Sequence, residues 1–205
     1  MNSRLIHLTV NGKSHEVAVA PNAVLLHTLR DLGYTDVKNG CEIGECGACA
    51  VFLNGEAVNS CMVLAWQADH AEIVTNAGLG TMDKPHPIQE AFADAGAIQC
   101  GFCTPGMVIS TKALLDRNPD PTEEEIREAL SGNLCRCTGY GQIVEAVRLA
   151  AERLRRSSSS PASSLREAAD DVTALGEQGP SQHEERGEPH SDARILPVSE
   201  QKEVR

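Results

Sequence analysis

Large aromatic side chains are scarce in this 205-residue chain, which contains three Phe, two Tyr and one Trp. A chain of this length can form one ordinary domain or two small ones, because most domains contain about 100–150 residues. Two domains of about 75 residues with so few aromatic side chains would be marginally stable on hydrophobic burial alone. We therefore expect a bound group to contribute to folding.

The chain also lacks a cluster of basic residues and a long apolar run. Its 18 Lys and Arg stand against 29 Asp and Glu, and the net charge of −11 opposes binding to nucleic-acid phosphates. No apolar run approaches the roughly 18 residues of a membrane-spanning helix, and residues 1–17 lack the apolar core of a signal peptide. The sequence therefore predicts a soluble, cytoplasmic protein that binds neither nucleic acid nor membranes.

Cysteine, in contrast, is abundant. The chain contains eight cysteines, and disulfides are not expected because the cytoplasm keeps thiols reduced. The thiols are instead expected to bind metal or to take part in redox chemistry. The first set is spaced C-x4-C-x2-C-x11-C and consists of Cys41, Cys46, Cys49 and Cys61. The second set is spaced C-x2-C-x31-C-x1-C and consists of Cys100, Cys103, Cys135 and Cys137.

The spacing of the first cysteine set matches that of plant-type [2Fe–2S] ferredoxins, in which three close thiolates precede a distant fourth. The loop GCEIGECGAC must wrap around such a cluster, and Gly40, Gly44 and Gly47 permit the positive φ angles and close backbone approach that this requires. Three alternatives stay open on spacing alone. They are a redox-active pair of Cys46 and Cys49, a four-thiolate zinc site and a Rieske-type cluster.

The spacing of the second cysteine set is less diagnostic, and zinc is a stronger alternative here. Its two pairs lie in CGFCTPG and CRCTGYG, each just before a predicted helix. Helix N-termini present free N–H groups and the positive end of the helix dipole, and both favour an anionic thiolate cluster. The second set therefore also fits a [2Fe–2S] site, with two helices each offering a pair of thiolates.

The first part of the chain is predicted to form a small α+β unit. Alternating apolar residues predict strands at 5–10, 15–19, 50–53, 56–58 and 72–75. Asn-Gly pairs at residues 11–12 and 54–55 predict two tight hairpins. Leucines at helical spacing predict one helix from Leu25 to the stop signal Gly33. We assign this domain to residues 1–78.

From about residue 86 the apolar pattern becomes helical. Helices are predicted at 86–95, 104–116, 122–130 and 142–155. Thr104 and Thr122 are predicted to cap the second and third of these. Short connections indicate an all-α four-helix bundle, which we assign to residues 79–156. Residues 77–87, AGLGTMDKPHP, are interpreted as the linker between the two halves and overlap the start of this assignment. The polar, serine-rich residues 157–205 are predicted to be a disordered acidic tail.

Three stretches, GCEIGECGACAV, QCGFCTPGM and NLCRCTGY, together resemble the iron–sulfur small subunit of the molybdenum hydroxylases, the xanthine oxidase family. The resemblance covers about residues 4–155 and includes all eight cysteines. It implies a plant-ferredoxin-like β-grasp fold for residues 1–78 and a four-helix bundle for residues 79–156. It also implies that the first cysteine set holds the cluster facing the flavin and the second set holds the cluster nearest the molybdenum cofactor. Gln99 would hydrogen-bond the pterin.

The resemblance further implies that this chain is an electron-transfer subunit with two [2Fe–2S] clusters. Its partners would be a molybdenum-binding large subunit and an FAD-binding medium subunit, assembled as a dimer of heterotrimers. VKNGCEIGECGAC and NSCMVLA look closest to small subunits of bacterial xanthine dehydrogenases, while carbon monoxide, nicotinate and aldehyde dehydrogenases share the same cysteines. Two further hypotheses are a zinc-stabilised interaction module and a free-standing ferredoxin.

Overall fold

The computed structural model describes residues 3–158, which form a mixed sheet with one helix packed on it, followed by a group of helices. Within this part of the chain, no helix is both long and apolar enough to cross a membrane. The predicted disordered tail, residues 157–205, lies outside the described residues from residue 159 onward.

Five strands form one sheet in the order β2-β1-β5-β3-β4. They are β1 (Arg4–Val10), β2 (Lys13–Val19), β3 (Ala50–Leu53), β4 (Glu56–Asn59) and β5 (Ala71–Val74). β1 and β5 are parallel, and every other neighbouring pair is antiparallel. The φ angles are 52° and 77° at residues 11–12, and 50° and 87° at residues 54–55. Positive φ at both turn residues is typical of tight hairpins, so both predicted turns are confirmed.

One helix, α1 (Leu25–Asp31), packs against one face of this sheet. Its leucines Leu25, Leu26 and Leu29 are fully buried in a core that they share with the strands. Gly33 follows with a φ of 95°, so the helix ends where the sequence predicts. The α+β class predicted for this part of the chain is therefore confirmed.

Three short helical segments lie where no helix is predicted. Two are 3-10 helices, Ser60–Met62 and Ala65–Ala68, and the third is α2 (Asn76–Leu79), which overlaps the predicted linker at 77–87. Segments of three or four residues are too short to show helical periodicity in a sequence. The first of them contains Cys61, so a 3-10 turn rather than a strand positions this thiol.

Four further helices share a second core. They are α3 (Pro87–Asp94), α4 (Thr104–Arg117), α5 (Glu123–Ala129) and α6 (Gly141–Ser158). His86 caps α3, and Thr122 caps α5 through a reciprocal box with Glu125, the latter as predicted. The predicted cap at Thr104 is wrong, because Cys103 is the N-cap and Thr104 is already the first helical residue. Cys103 makes no side-chain capping bond, since its thiol is hydrogen-bonded to another cysteine.

The sheet and the second group of helices contact each other. Ile109 of α4 is fully buried against Ala50 and Phe52 of β3. Val51, between them, belongs instead to the core that contains α1. Successive strand residues face opposite sides of a sheet, so α1 and α4 cover opposite faces at β3.

Candidate metal centres

The first cysteine set is held by the loop between α1 and β3, together with the 3-10 helix that follows β4. Cys41 and Cys46 are partly exposed, whereas Cys49 and Cys61 are buried. The thiols form two hydrogen-bonded pairs, Cys41 with Cys46 and Cys49 with Cys61. The fold therefore brings together all four thiols that the sequence assigns to this set.

The protein environment shifts the pKa values of these thiols in opposite directions. Hydrogen bonds from the backbone N–H groups of Ile43 and Cys46 lower the pKa of Cys41 to about 7. Burial, followed by the hydrogen bond and charge of Cys49, raises the pKa of Cys61 to about 11. A bound cation would favour the thiolate form of all of these groups, because nearby positive charge stabilises an anionic sulfur.

The glycines of the cysteine loop leave room for the sulfur atoms. A Cβ at Gly40 would lie 2.8 Å from the Cys46 Sγ. Gly44 and Gly47 have φ angles of 83° and 67°, a conformation that is unfavourable for residues with a Cβ. These glycines therefore allow the chain to turn tightly around the thiols of the first set.

The second cysteine set is more exposed and lies close to the N-terminal ends of α4 and α6. The sulfurs of Cys100 and Cys137 are 3.5 Å apart at the surface. Cys103 and Cys135 are partly exposed and form the other hydrogen-bonded pair. Cys103 directly precedes α4, whereas a short turn separates Cys137 from the start of α6 at Gly141. All four thiols that the sequence assigns to the second set therefore also meet.

The two less exposed thiols of the second set, Cys103 and Cys135, have pKa values shifted in opposite directions. Burial raises the pKa of Cys103 to about 12, with smaller contributions from its cysteine neighbours. Burial also acts to raise the pKa of Cys135, but hydrogen bonds from the hydroxyl and backbone N–H of Thr138 outweigh it and lower that pKa to about 7. The Thr138 Oγ1 lies 3.2 Å from the Cys135 Sγ. Thr138 therefore favours the thiolate form of Cys135.

Three residues that support the second site are not identified by the cysteine spacing: Thr138, Tyr140 and Asn133. The Tyr140 hydroxyl accepts the N–H of Cys135 at 2.8 Å and donates to the carbonyl of Asn133 at 2.9 Å. Tyr140 itself has a φ of 69°, so the turn before α6 is tightly constrained. All three lie inside the motif NLCRCTGY, which is the sequence signal that points to them.

The pairing of the sulfurs distinguishes a two-iron cluster from a single zinc ion. Four thiolates on one zinc would lie about 3.8 Å apart, given Zn–S bonds of about 2.3 Å. Among residues 3–158, no three cysteine sulfurs lie within 4.8 Å of one another. Each set instead forms two close pairs, which suits a core of two iron atoms with two thiolates each. Both sets therefore fit [2Fe–2S] clusters better than four-thiolate zinc.

A hydrogen-bonded contact joins the two sites. The N–H of Leu134, in the second cysteine motif, donates to the carbonyl of Cys46 at 2.9 Å. Beside it, the buried side chain of Asn133 donates to the Gly47 carbonyl at 3.3 Å and accepts from the Ser110 hydroxyl at 2.7 Å. A backbone segment of one site thus touches a backbone segment of the other.

Replacing Asn133 by alanine is expected to lower the free energy of unfolding by about 2 kcal/mol, because the two hydrogen bonds of this buried side chain, to the Gly47 carbonyl and from the Ser110 hydroxyl, are both lost at about 1 kcal/mol each. The thermal midpoint, measured by circular dichroism with the clusters in place, should fall by about 6 °C. Ser110→Ala is the matched control, since it removes only the bond to Asn133 and should have a smaller effect. An unchanged midpoint in Asn133→Ala would show that this contact adds nothing to stability.

Two family models match most of the described chain. The 2Fe–2S iron–sulfur cluster binding domain matches residues 8–76, and the [2Fe–2S] binding domain matches residues 75–148. Each match contains one of the two cysteine sets in full. The two sites therefore correspond to two known types of [2Fe–2S] domain that follow each other in the chain.

The chain is also similar to subunits of known dehydrogenases. It is 54% identical over 154 residues to the nicotinate dehydrogenase small FeS subunit of Eubacterium barkeri, covering 75% of this chain and 98% of the relative. It is 46% identical over 144 residues to the xanthine dehydrogenase iron-sulfur-binding subunit of Escherichia coli O157:H7, covering 69% and 91%. A chain in the crystal structure of quinoline 2-oxidoreductase from Pseudomonas putida 86 is 42% identical, with a TM-score of 0.71, covering 75% and 97%.

Proposed function

Because the chain belongs to the family of [2Fe–2S] small subunits of the molybdenum hydroxylases, we propose that it conducts electrons from a molybdenum-binding large subunit to an FAD-binding medium subunit. Its relatives are iron–sulfur subunits of oxidoreductase complexes, and both of its cysteine sets suit [2Fe–2S] clusters. The proposed assembly is a dimer of heterotrimers. In it, the substrate is transformed on the large subunit, and this chain conducts the electrons away.

The observation that most directly supports this proposal is the hydrogen bond between the two sites. The N–H of Leu134 meets the carbonyl of Cys46, a thiol of the first site, and Leu134 directly precedes Cys135, a thiol of the second. When bound, a [2Fe–2S] cluster supplies a centre that accepts and releases one electron at a time. Two such sites in contact suit a chain placed between two cofactors that each exchange electrons in pairs.

The surface around the second site suits contact with the large subunit. Ile98, Phe102 and Leu134 each lie within two residues of a cysteine of the second set in the sequence, and they are large apolar residues that are 42%, 47% and 56% exposed. Exposed large apolar side chains are enriched at protein contacts. Gln99 is also exposed and directly precedes the exposed Cys100. We assign this surface to the large subunit, with the Gln99 side chain hydrogen-bonding the pterin.

The surface around the first site suits contact with the medium subunit. Ile43 and Met62 are 63% and 62% exposed. Met62 covers the cysteine loop, since a Cβ on Gly44 would lie 2.9 Å from its Cγ. Two apolar surfaces, one beside each cysteine set, are what a chain needs to bind two different subunits.

We also propose that residues 1–78 form a plant-ferredoxin-like β-grasp domain and that residues 79–156 form a four-helix bundle. The two family matches support a division close to residue 76. The sheet with α1 has its own buried core, and helices α3 to α6 have another. Separate cores are expected of separate domains.

The substrate class that we propose for the complex is an aromatic nitrogen heterocycle. Nicotinate, xanthine and quinoline, for which the three proteins compared above are named, share this ring chemistry. The relative named for nicotinate is more similar to this chain than the one named for xanthine. The proposal therefore puts nicotinate-like pyridines before the purines expected from the sequence, with aldehydes and carbon monoxide as the remaining candidates.

Metal content and substrate-dependent reduction test this function. The purified chain is expected to contain about four iron and about four labile sulfide, and to show two distinguishable EPR signals when reduced. In the complex with its partner subunits, the true substrate should bleach the visible absorbance of the clusters without oxygen. Nicotinate, xanthine, an aldehyde and carbon monoxide are each added in turn. Stoichiometric zinc without sulfide in natively purified protein would contradict the proposal.

Replacing Gln99 by alanine is expected to leave both clusters assembled but to slow their reduction by substrate about tenfold, the effect of one lost hydrogen bond of about 1.4 kcal/mol. Anaerobic stopped-flow absorbance of the complex measures this rate. Gln142→Ala is a suitable control, because Gln142 is also exposed but lies in the first turn of α6. Identical reduction rates in Gln99→Ala and the starting protein would remove the assigned role of Gln99.

A further inference from the structure

A separate cluster of ligating side chains lies beside β1 and contains none of the cysteines. His7 of β1 meets Asp69 and His70, which lie in the turn before β5. Their ligand atoms all lie within 4.8 Å of one another, and no other three His, Cys, Asp or Glu side chains among residues 3–158 do so. The Asp69 Oδ1 is 3.9 Å from the His7 Nδ1 and 3.8 Å from the His70 Nε2.

The backbone holds these three residues in place. The N–H of His7 donates to the Asp69 Oδ1 at 2.9 Å, and the N–H of His70 donates to the His7 carbonyl at 2.6 Å. His70 has a φ of 61°, a left-handed conformation that is uncommon for residues other than glycine. The two imidazole rings stack with centroids 5.3 Å apart and planes inclined by 10°. The turn thus presents two histidines to one carboxylate, at the cost of an unfavourable backbone conformation.

A second carboxylate orients His7. Glu16 lies opposite His7 on β2, and its Oε2 is 3.3 Å from the His7 Nε2. A proton on Nε2 satisfies this contact and leaves the lone pair on Nδ1, the nitrogen on the Asp69 side. Carboxylates commonly orient metal-binding histidines in this way. Arg4 lies 3.6 Å from the other Asp69 oxygen, Oδ2, so Oδ1 stays available to the imidazoles.

We propose that His7, Asp69 and His70 bind one divalent transition-metal ion of the zinc class, with water completing its coordination. Two imidazole nitrogens and one carboxylate oxygen form a common zinc ligand set where a position stays open to solvent. Ligand atoms on one zinc lie about 3.3 Å apart, so each imidazole nitrogen needs to approach the Asp69 Oδ1 by about 0.5 Å, and the stacked rings need to turn so that their lone pairs converge on the ion. The His7 and His70 side chains are 51% and 77% exposed, so an ion can enter directly from solvent. The bound ion would tie β1 to the turn before β5.

Calorimetric titration of the full-length chain with zinc chloride tests this site, with both clusters assembled and no chelating buffer. One equivalent of zinc is expected to bind. His70→Asn and Asp69→Asn should each weaken that binding by at least about 100-fold, and Glu16→Gln by about 10-fold. Asparagine is chosen at position 70 because it tolerates a positive φ. His27→Gln is the matched control and should bind zinc normally, since His27 is a 49% exposed histidine paired with Glu42 outside the cluster.

Two results would overturn the proposal. One is equal zinc binding by the starting protein and by His70→Asn and Asp69→Asn. The other is zinc uptake that proceeds only as the visible absorbance of the clusters is lost, because that ion would be replacing iron at the cysteines. Circular dichroism without zinc separates loss of a ligand from loss of the fold, and His7→Gln tests the same site should the change at His70 prevent folding.

Discussion

The change Cys49→Ser is expected to lower the iron content of the chain from about four to about two atoms and to remove one of the two EPR signals of the reduced protein. Cys49 is buried and paired with Cys61 in the first site. Iron in such a cluster is held by thiolates, and a serine hydroxyl does not ionise at neutral pH as a thiol can. Iron and labile sulfide assays, with low-temperature EPR, measure both effects.

Cys135→Ser is the matched variant for the second site. It should remove the same fraction of the iron but the other EPR signal, because Cys135 belongs to the pair with Cys103. Folding of both variants is checked by circular dichroism. If either folded variant loses both signals, the two sites are not independent, and if either keeps all of its iron with both EPR signals unchanged, that cysteine is not a ligand.

The change Gly47→Ala is expected to lower the free energy of unfolding by about 3 kcal/mol. Gly47 has a φ of 67°, which costs alanine about 1 kcal/mol. A Cβ there would also overlap the amide of Asn133 and lie 2.5 Å from the Gly132 carbonyl oxygen, and overpacking of this kind costs about 1–3 kcal/mol. The thermal midpoint should fall by about 9 °C, because the contact that joins the two sites cannot close.

Gly12→Ala is the control for Gly47→Ala. Gly12 also has a positive φ, 77°, but a Cβ there would have nothing within 4 Å. Only the backbone cost applies, so the midpoint should fall by about 3 °C. Equal effects of the two changes would mean that the overlap of the new Cβ with Asn133 and Gly132 costs no stability, and that only the backbone conformation of Gly47 matters.

Features of the fold that depend on short-range chemistry follow from the sequence. The two Asn-Gly pairs form tight turns because both residues tolerate positive φ. The capping box of Thr122 and Glu125 and the leucines of α1 act within one or two helical turns. The start of α4 is different, since Cys103 replaces Thr104 as the cap while its thiol meets Cys135 from another part of the chain.

The motif NLCRCTGY marks the supporting residues of the second site, but the sequence does not show what each of them does. Asn133, Thr138 and Tyr140 are ordinary polar residues in the sequence, and their roles arise only from the groups they meet after folding. The proposed metal site of His7, Asp69 and His70 is a similar case. His7 and His70 are far apart in the chain and become neighbours because β1 and β5 pair in parallel.

Cysteine identity and spacing are sufficient to group the eight thiols into two sets of four and to favour a [2Fe–2S] cluster for the first set, because three of its ligands lie on one short loop, while zinc stays open for the second set. Spacing cannot show which thiols pair, how their pKa values separate, or that Leu134 and Cys46 join the two sites. Those features depend on the packing of α4 against β3 and on the turn before α6. Long-range packing places groups by the shape of the whole core, and no local pattern encodes that shape.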